Sequence, residues 1–149
     1  LILPGPLKAL HHILLPLQGT YDADHALSLL EQKPFRELPT VTLFTVLPHT
    51  RPPWPVDAVS AEHMETHSLR KAKDFLDETA DKLRLSGYQT RVVTTLGTPV
   101  DGILQEAKAL NPDLILVGSR GRRGVTRMVL GSVSHALLHQ GTYPLMIFG

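Results

Sequence analysis

Five short apolar runs alternate with four stretches of helical periodicity, and this alternation restricts the chain more than any other feature. The runs are Leu10 to Leu17, Val41 to Leu47, Gln89 to Leu96, Leu114 to Val117 and Leu145 to Phe148. Each has the length of a strand. The first is apolar apart from His11 and His12, as a strand covered on both faces would be. Between the first two runs, Ala23, Ala26, Leu27 and Leu30 fall at helical spacing, with Asp22 placed to cap and Pro34 to terminate. A long helix is expected over Ser60 to Ser86, with Leu69, Ala72, Leu76, Ala80 and Leu83 as its buried stripe and Gly87 as its end. Thr98-Pro99 opens a third helix carrying Val100, Ile103, Leu104, Ala107 and Leu110, closed by Asn111-Pro112. Val133, Ala136 and Leu137 belong to a fourth. Strands alternating with helices call for an α/β fold: an open five-stranded parallel sheet with helices on both faces. At 149 residues the chain is the size of one domain.

In such sheets a ligand binds beyond the C-terminal strand ends, where the strand order reverses. The loop after the fourth run is the most informative of those that reach this edge. Gly118 breaks the run, a glycine- and arginine-rich loop follows, and Gly131-Ser132 opens the last helix. Strand, glycine loop and helix N-terminus together suit an anion, because the backbone can approach closely and unpaired N–H groups meet negative charge. Arg120, Arg122, Arg123 and Arg127 lie in this loop, and no Asp or Glu follows Asp113. The opposing reading is a solvated arginine loop whose glycines serve only the turn.

Gly118-x2-Gly121-x9-Gly131-Ser132 resembles the nucleotide-binding signature of the universal stress protein family, including the Val-Gly-Ser-Arg-Gly lead-in and the Val-Leu-Gly-Ser-Val-Ser close. The resemblance covers Leu10 to Phe148 and implies a Rossmann-like sheet of order 3-2-1-4-5. It further implies an ATP site (or AMP or ADP) in which Gly118, Gly121, Gly131, Ser132 and Val133 cradle phosphates and ribose, with Ser119 and Arg120 lining the loop. Val46 falls where the family makes a backbone contact to adenine. The family's first strand usually ends in Pro-x-Asp-Gly-Ser; here it reads Pro16-Leu17-Gln18-Gly19-Thr20. A glutamine amide can hydrogen-bond a base or hydroxyl, but it cannot bind a cation as a carboxylate does. Pairing into a homodimer through Leu145 to Phe148 is also implied by resemblance.

Composition narrows the alternatives. A net charge of +1 gives no reason to expect nucleic acid or a membrane surface as partner. With no cysteine, disulfides, thiolate nucleophiles and cysteine zinc sites are excluded. No apolar run approaches the roughly 20 residues of a membrane span, and no signal peptide is visible, so a cytoplasmic location is the default expectation. Leu1 to Gly5 resembles the chain's own final segment, Leu145 to Gly149. Residues 1–9 are therefore either the end of a preceding, similar domain or a Pro-rich lead-in to a single domain over 1–149.

Other residue patterns carry less. There is no Gly-Lys-Ser/Thr and no Gly-x-Gly-x-x-Gly, which disfavours a P-loop and a dinucleotide fold. His11 and His12 adjoin in a strand and face opposite ways. His63 and His67 stand at i, i+4 without a third ligand, and read as a solvated face. His135 and His139 share that spacing just after the glycine loop, where His135 can either add charge near a phosphate or lie on the surface. Trp54, in a loop with four prolines between Pro48 and Pro55, can stack on a base or pack on the long helix. No nucleophile elbow accompanies any Ser/His/Asp grouping, and Asp101 and Glu106 are isolated carboxylates.

The function expected is an ATP-binding stress-response or regulatory module acting through occupancy and dimerisation. Positioning groups are plentiful while no water-activating residue is apparent, so turnover is expected to be slow or absent. Mg²⁺ is implied by the triphosphate's charge, with no visible protein ligand. The alternatives are a dimeric interaction module without nucleotide, favoured by Gln18, and a slow phosphotransfer enzyme.

Overall fold

A computed structural model describes residues 9–49, 54–119 and 131–149. Residues 1–8 of the possible lead-in, residues 50–53 of the proline-rich loop, and the loop residues 120–130 with Arg120 and Gly121 lie outside the described residues.

The elements run β1 (His12–Pro16), α1 (Thr20–Glu31), β2 (Thr40–Leu47), α2 (Ala58–Leu85), β3 (Thr90–Leu96), α3 (Pro99–Leu110), β4 (Leu114–Gly118), α4 (Ser132–Gln140) and β5 (Leu145–Phe148). The strands form one sheet of order β3-β2-β1-β4-β5, and all four pairings are parallel. Register is set by burial: alternate residues of each inner strand face opposite sides, and both sides are covered. Ile13, Leu15 and Leu43 pack with Leu27 and Leu30 of α1 and with Leu76 and Leu83 of α2. Leu14, Phe44 and Ile115 pack with Ile103 of α3 and Leu137 of α4. The expected two-faced α/β sheet is what forms.

Several boundaries differ from expectation, each for a local reason. Asp22 does not cap α1: the helix begins at Thr20 with Gly19 as its N-cap, and Asp22 sits buried in the first turn. α1 ends at Glu31, before Pro34, because Gln32 closes it and Lys33 turns into the left-handed region at φ 49°. α2 starts two residues early because the Asp57 side chain accepts the Ser60 N–H at 2.6 Å. Of its predicted stripe, Leu76, Ala80 and Leu83 are buried, while Leu69 and Ala72 are only partly covered. α3 opens at Pro99 behind Thr98, as expected, and closes on Asn111 in the left-handed conformation.

The N-terminal edge of the sheet is tied by side chains. The Asp113 carboxylate accepts the backbone N–H groups of His11 and His12 at 2.8 and 2.9 Å, and the His12 ring bonds Thr42 Oγ1 at 2.7 Å. This engages His12 structurally, at the end of the sheet away from the glycine loop. Among the described residues, no helix is long and apolar enough to cross a membrane.

Candidate functional site

The order β3-β2-β1-β4-β5 reverses direction between β1 and β4, which opens a crevice beyond their C-terminal ends. Three helices begin at this edge: α1 behind Gly19, α3 behind Thr98 and α4 behind Gly131. In none of them does the N-cap residue's own side chain make a cap hydrogen bond. The glycines have no side chain to offer, and the Thr98 hydroxyl donates to Asp101 at 2.9 Å instead. The positive ends of the three helix dipoles therefore lie along this edge, where negative charge is favoured.

The glycine loop is closed at its base. The Ser119 N–H donates to Phe148 O at 2.7 Å, and the Gly131 N–H donates to Ser119 O at 2.6 Å. Ser119 thereby joins the end of β4 to both β5 and the start of α4. A Cβ on Gly131 would stand 3.1 Å from the Ser119 carbonyl oxygen, so glycine is what allows this approach. Gly131 O in turn accepts the His135 N–H at 2.9 Å and the Ser134 hydroxyl at 3.0 Å, which fixes the first turn of α4. Ser132 is exposed at that turn and Val133 partly so.

Across the crevice, Pro16 and Leu17 end β1 with both side chains buried, so that backbone is what they can offer a ligand. The Leu17 N–H donates to Phe44 O at 2.8 Å, whereas Leu47 O accepts the Gly97 N–H on the other side of β2. β2 therefore alternates its backbone groups between β1 and β3. Val46, two residues beyond Phe44, turns its own toward the β1 side just past the end of that strand. Its side chain packs on α3, where a Cβ on Gly102 would come within 2.6 Å of Val46 Cγ2. Of the residues named from the sequence, Pro16, Leu17, Gln18, Gly118, Ser119, Gly131, Ser132 and Val133 thus lie at the C-terminal ends of β1 and β4, with Val46 at the end of β2.

The sequence reading passed over Asp22 as a site residue. Its carboxylate accepts the Gln18 backbone N–H, and its Oδ1 lies so near Gly118 that a Cβ there would be 2.6 Å away. Asp22 is 6% exposed. Burial pushes its carboxyl above the usual range, and the Gln18 N–H and His25 pull it partly back. The floor of the crevice therefore carries an acid after all, four residues beyond the position where Gln18 replaces the expected one. The available signal was an acidic residue within one helical turn of Gln18, but a first-turn acid is most simply read as a cap.

A family model for the universal stress protein family matches residues 9–149. The chain belongs to that family. A relative in sequence is the universal stress protein YxiE of Bacillus subtilis, 39% identical over 73 residues, which are 49% of each chain. The chain thus spans about half the length of the relative it matches. In structure, the universal stress protein UspA of Lactobacillus plantarum superposes with a TM-score of 0.76 at 17% identity, covering 96% of this chain and 100% of that one. A universal stress family protein of Arabidopsis thaliana, solved with AMP bound, superposes with a TM-score of 0.59 at 19% identity, covering 92% and 90%. These likenesses establish the fold and the sheet order.

Proposed function

We propose that the chain is an adenine-nucleotide-binding module, for ATP or for AMP or ADP, that works through occupancy of the crevice between β1 and β4. The single observation that carries this is the N-terminus of α4 at the end of β4, where Gly131 closes against Ser119, with α1 and α3 starting at the same edge of the sheet. The AMP bound by the Arabidopsis relative supports the choice of adenine. In this reading the N–H groups of Ser132 and Val133 and the Ser132 hydroxyl bind phosphate oxygens, and Gly118 and Gly121 let the ribose and phosphates approach. Arg120 adds positive charge, and Val46 offers backbone groups to the base. Gln18 takes a base or ribose hydrogen bond. Mg²⁺ is implied by the charge of ATP, with phosphate oxygens as its main ligands. The reading includes a cytoplasmic stress-response role, little or no turnover, and homodimerisation through β5.

The test is calorimetric titration with ATP, AMP and GTP, with and without Mg²⁺, on the protein and on Gly131→Val. Binding of the adenine nucleotides that disappears in the variant supports the reading, because the added bulk meets the Ser119 carbonyl. A folded protein that binds none of them overturns it.

A second reading rests on Asp22. A buried carboxylate on the floor of the crevice opposes an anionic ligand, which favours an interaction module that works by pairing without nucleotide. Nucleotide binding by Asp22→Asn but not by the unaltered protein, together with a dimer mass for the unaltered protein in sedimentation, would support it.

A further inference from the structure

His135 and His139 lie on the exposed face of α4, at i, i+4, and their Nε2 atoms are 3.3 Å apart. Their ring planes cross at 65° with centroids 4.4 Å apart. Two nitrogens each about 2.0–2.1 Å from a tetrahedral zinc stand about 3.3 Å from one another, so the spacing matches the bite of a single ion. Imidazole nitrogen selects borderline ions such as Zn²⁺, Cu²⁺ and Ni²⁺ over Mg²⁺, which prefers oxygen.

The placement of the pair gives it a partner. Helical side chains lean toward the N-terminus of their helix. His139 therefore leans back over His135, which follows the exposed Ser132 by three residues on α4. The His135 N–H bonds Gly131 O, so the pair begins one turn from the N-cap of α4.

We propose that His135 and His139 are a two-imidazole site for a divalent zinc-like ion, whose shell is completed by water or by phosphate oxygens of a ligand seated at the N-terminus of α4. The phosphate part rests on the nucleotide reading above; the imidazole part does not. Both rings bind as the Nδ1–H tautomer, which frees both Nε2 lone pairs for the metal in place of the hydrogen bond they now share. The ion would act as a bridge, so that metal and nucleotide each tighten the other by one common factor.

The experiment titrates Zn²⁺ into the protein in phosphate-free buffer, with and without AMP, and repeats this on His139→Ala and His63→Ala. His63 and His67 have the same sequence spacing on α2 and control for incidental imidazole binding. Zn²⁺ affinity should fall about tenfold or more in His139→Ala, at least the loss that removing an outer-shell partner causes, and stay unchanged in His63→Ala. Equal Zn²⁺ binding by His139→Ala and the unaltered protein overturns the site. AMP should tighten Zn²⁺ in the unaltered protein only. If AMP binds both proteins but leaves Zn²⁺ affinity unchanged, the bridge is wrong and the nucleotide reading survives. If AMP binds neither protein while Zn²⁺ still requires His139, the nucleotide reading fails and the imidazole site stands.

Discussion

Asp22 Oδ1 fills the space that a side chain on Gly118 would need, with only 2.6 Å between the oxygen and the position of a Cβ. The first turn of α1 and the last residue of β4 are thus fitted to one another across the switch point. Gly118→Ala should displace the Asp22 carboxylate from the Gln18 N–H and cost about 1–3 kcal/mol, the usual penalty for overpacking. Urea unfolding of Gly118→Ala, Asp22→Ala and the double variant measures the coupling. The alanine at 118 should cost markedly less once Asp22 is truncated. Additive effects would mean that the two residues do not constrain each other.

A second close approach lies on the opposite face, where Gly102 of α3 meets Val46 of β2. An added Cβ would be 2.6 Å and 3.1 Å from the two Val46 methyls, and a β-branched side chain has little room to rotate away. Alanine in place of a helical glycine gains about 1 kcal/mol of propensity, while the clash costs about 1–3. Gly102→Ala should therefore destabilise the protein slightly. In a Val46→Ala background the clash is gone, and the same change should stabilise. A stabilising Gly102→Ala in the unaltered protein would show that β2 and α3 separate easily there.

Two titratable groups, one buried and one partly buried, should shape stability against pH in opposite senses. Asp22 has its folded pKa raised by burial, so its contribution is fully present below the unfolded value of about 4 and is lost as pH rises through the folded value. Asp22→Asn keeps an oxygen for the Gln18 N–H and should remove that loss, gaining on the unaltered protein as pH rises from about 4 toward neutrality. His12 has its pKa lowered, first by burial and then by Arg91, against an upward pull from Asp113. Its contribution is present above about 6.5 and is lost as pH falls through the folded value, so His12→Asn should flatten the acid side of that transition. Urea midpoints across this range check both slopes, and parallel curves for a variant and the unaltered protein would reject the corresponding assignment.

Much of the fold was legible because each inner strand is covered twice, which leaves uninterrupted apolar runs such as Ile13 to Leu15, and each helix is covered once, which leaves a stripe such as Leu76, Ala80 and Leu83. The strand order could not be derived from such runs, since Val41 to Leu47 would look alike beside β1 or at an edge; it came with the glycine spacing and the resemblance. That spacing located the crevice, but not the Ser119–Gly131 hydrogen bond that closes it, because backbone pairing leaves no mark on residue type. Asp22 was misread for a related reason. An acid in a first turn looks the same whether it caps the helix from outside or turns inward under a neighbouring strand, and only the position of Gly118 separates the two. The His135–His139 spacing was visible as i, i+4, while the contact of the two nitrogens depends on rotamers.

β5 ends the sheet, and its backbone alternation makes a clean test of pairing possible. Pro144 O accepts the Ile115 N–H and Phe148 O accepts the Ser119 N–H, so even-numbered residues of this segment face β4. Ile147 therefore directs its own N–H and C=O outward, to the open edge. Proline is tolerated at an edge strand where the missing N–H faces away from the sheet. Ile147→Pro should thus leave the ladder to β4 in place and remove one donor from the free edge. If two copies pair through β5, as proposed, sedimentation velocity should show the variant shifted toward the monomer, with its far-ultraviolet circular dichroism retained. A folded variant that sediments as a dimer would move the pairing surface away from β5.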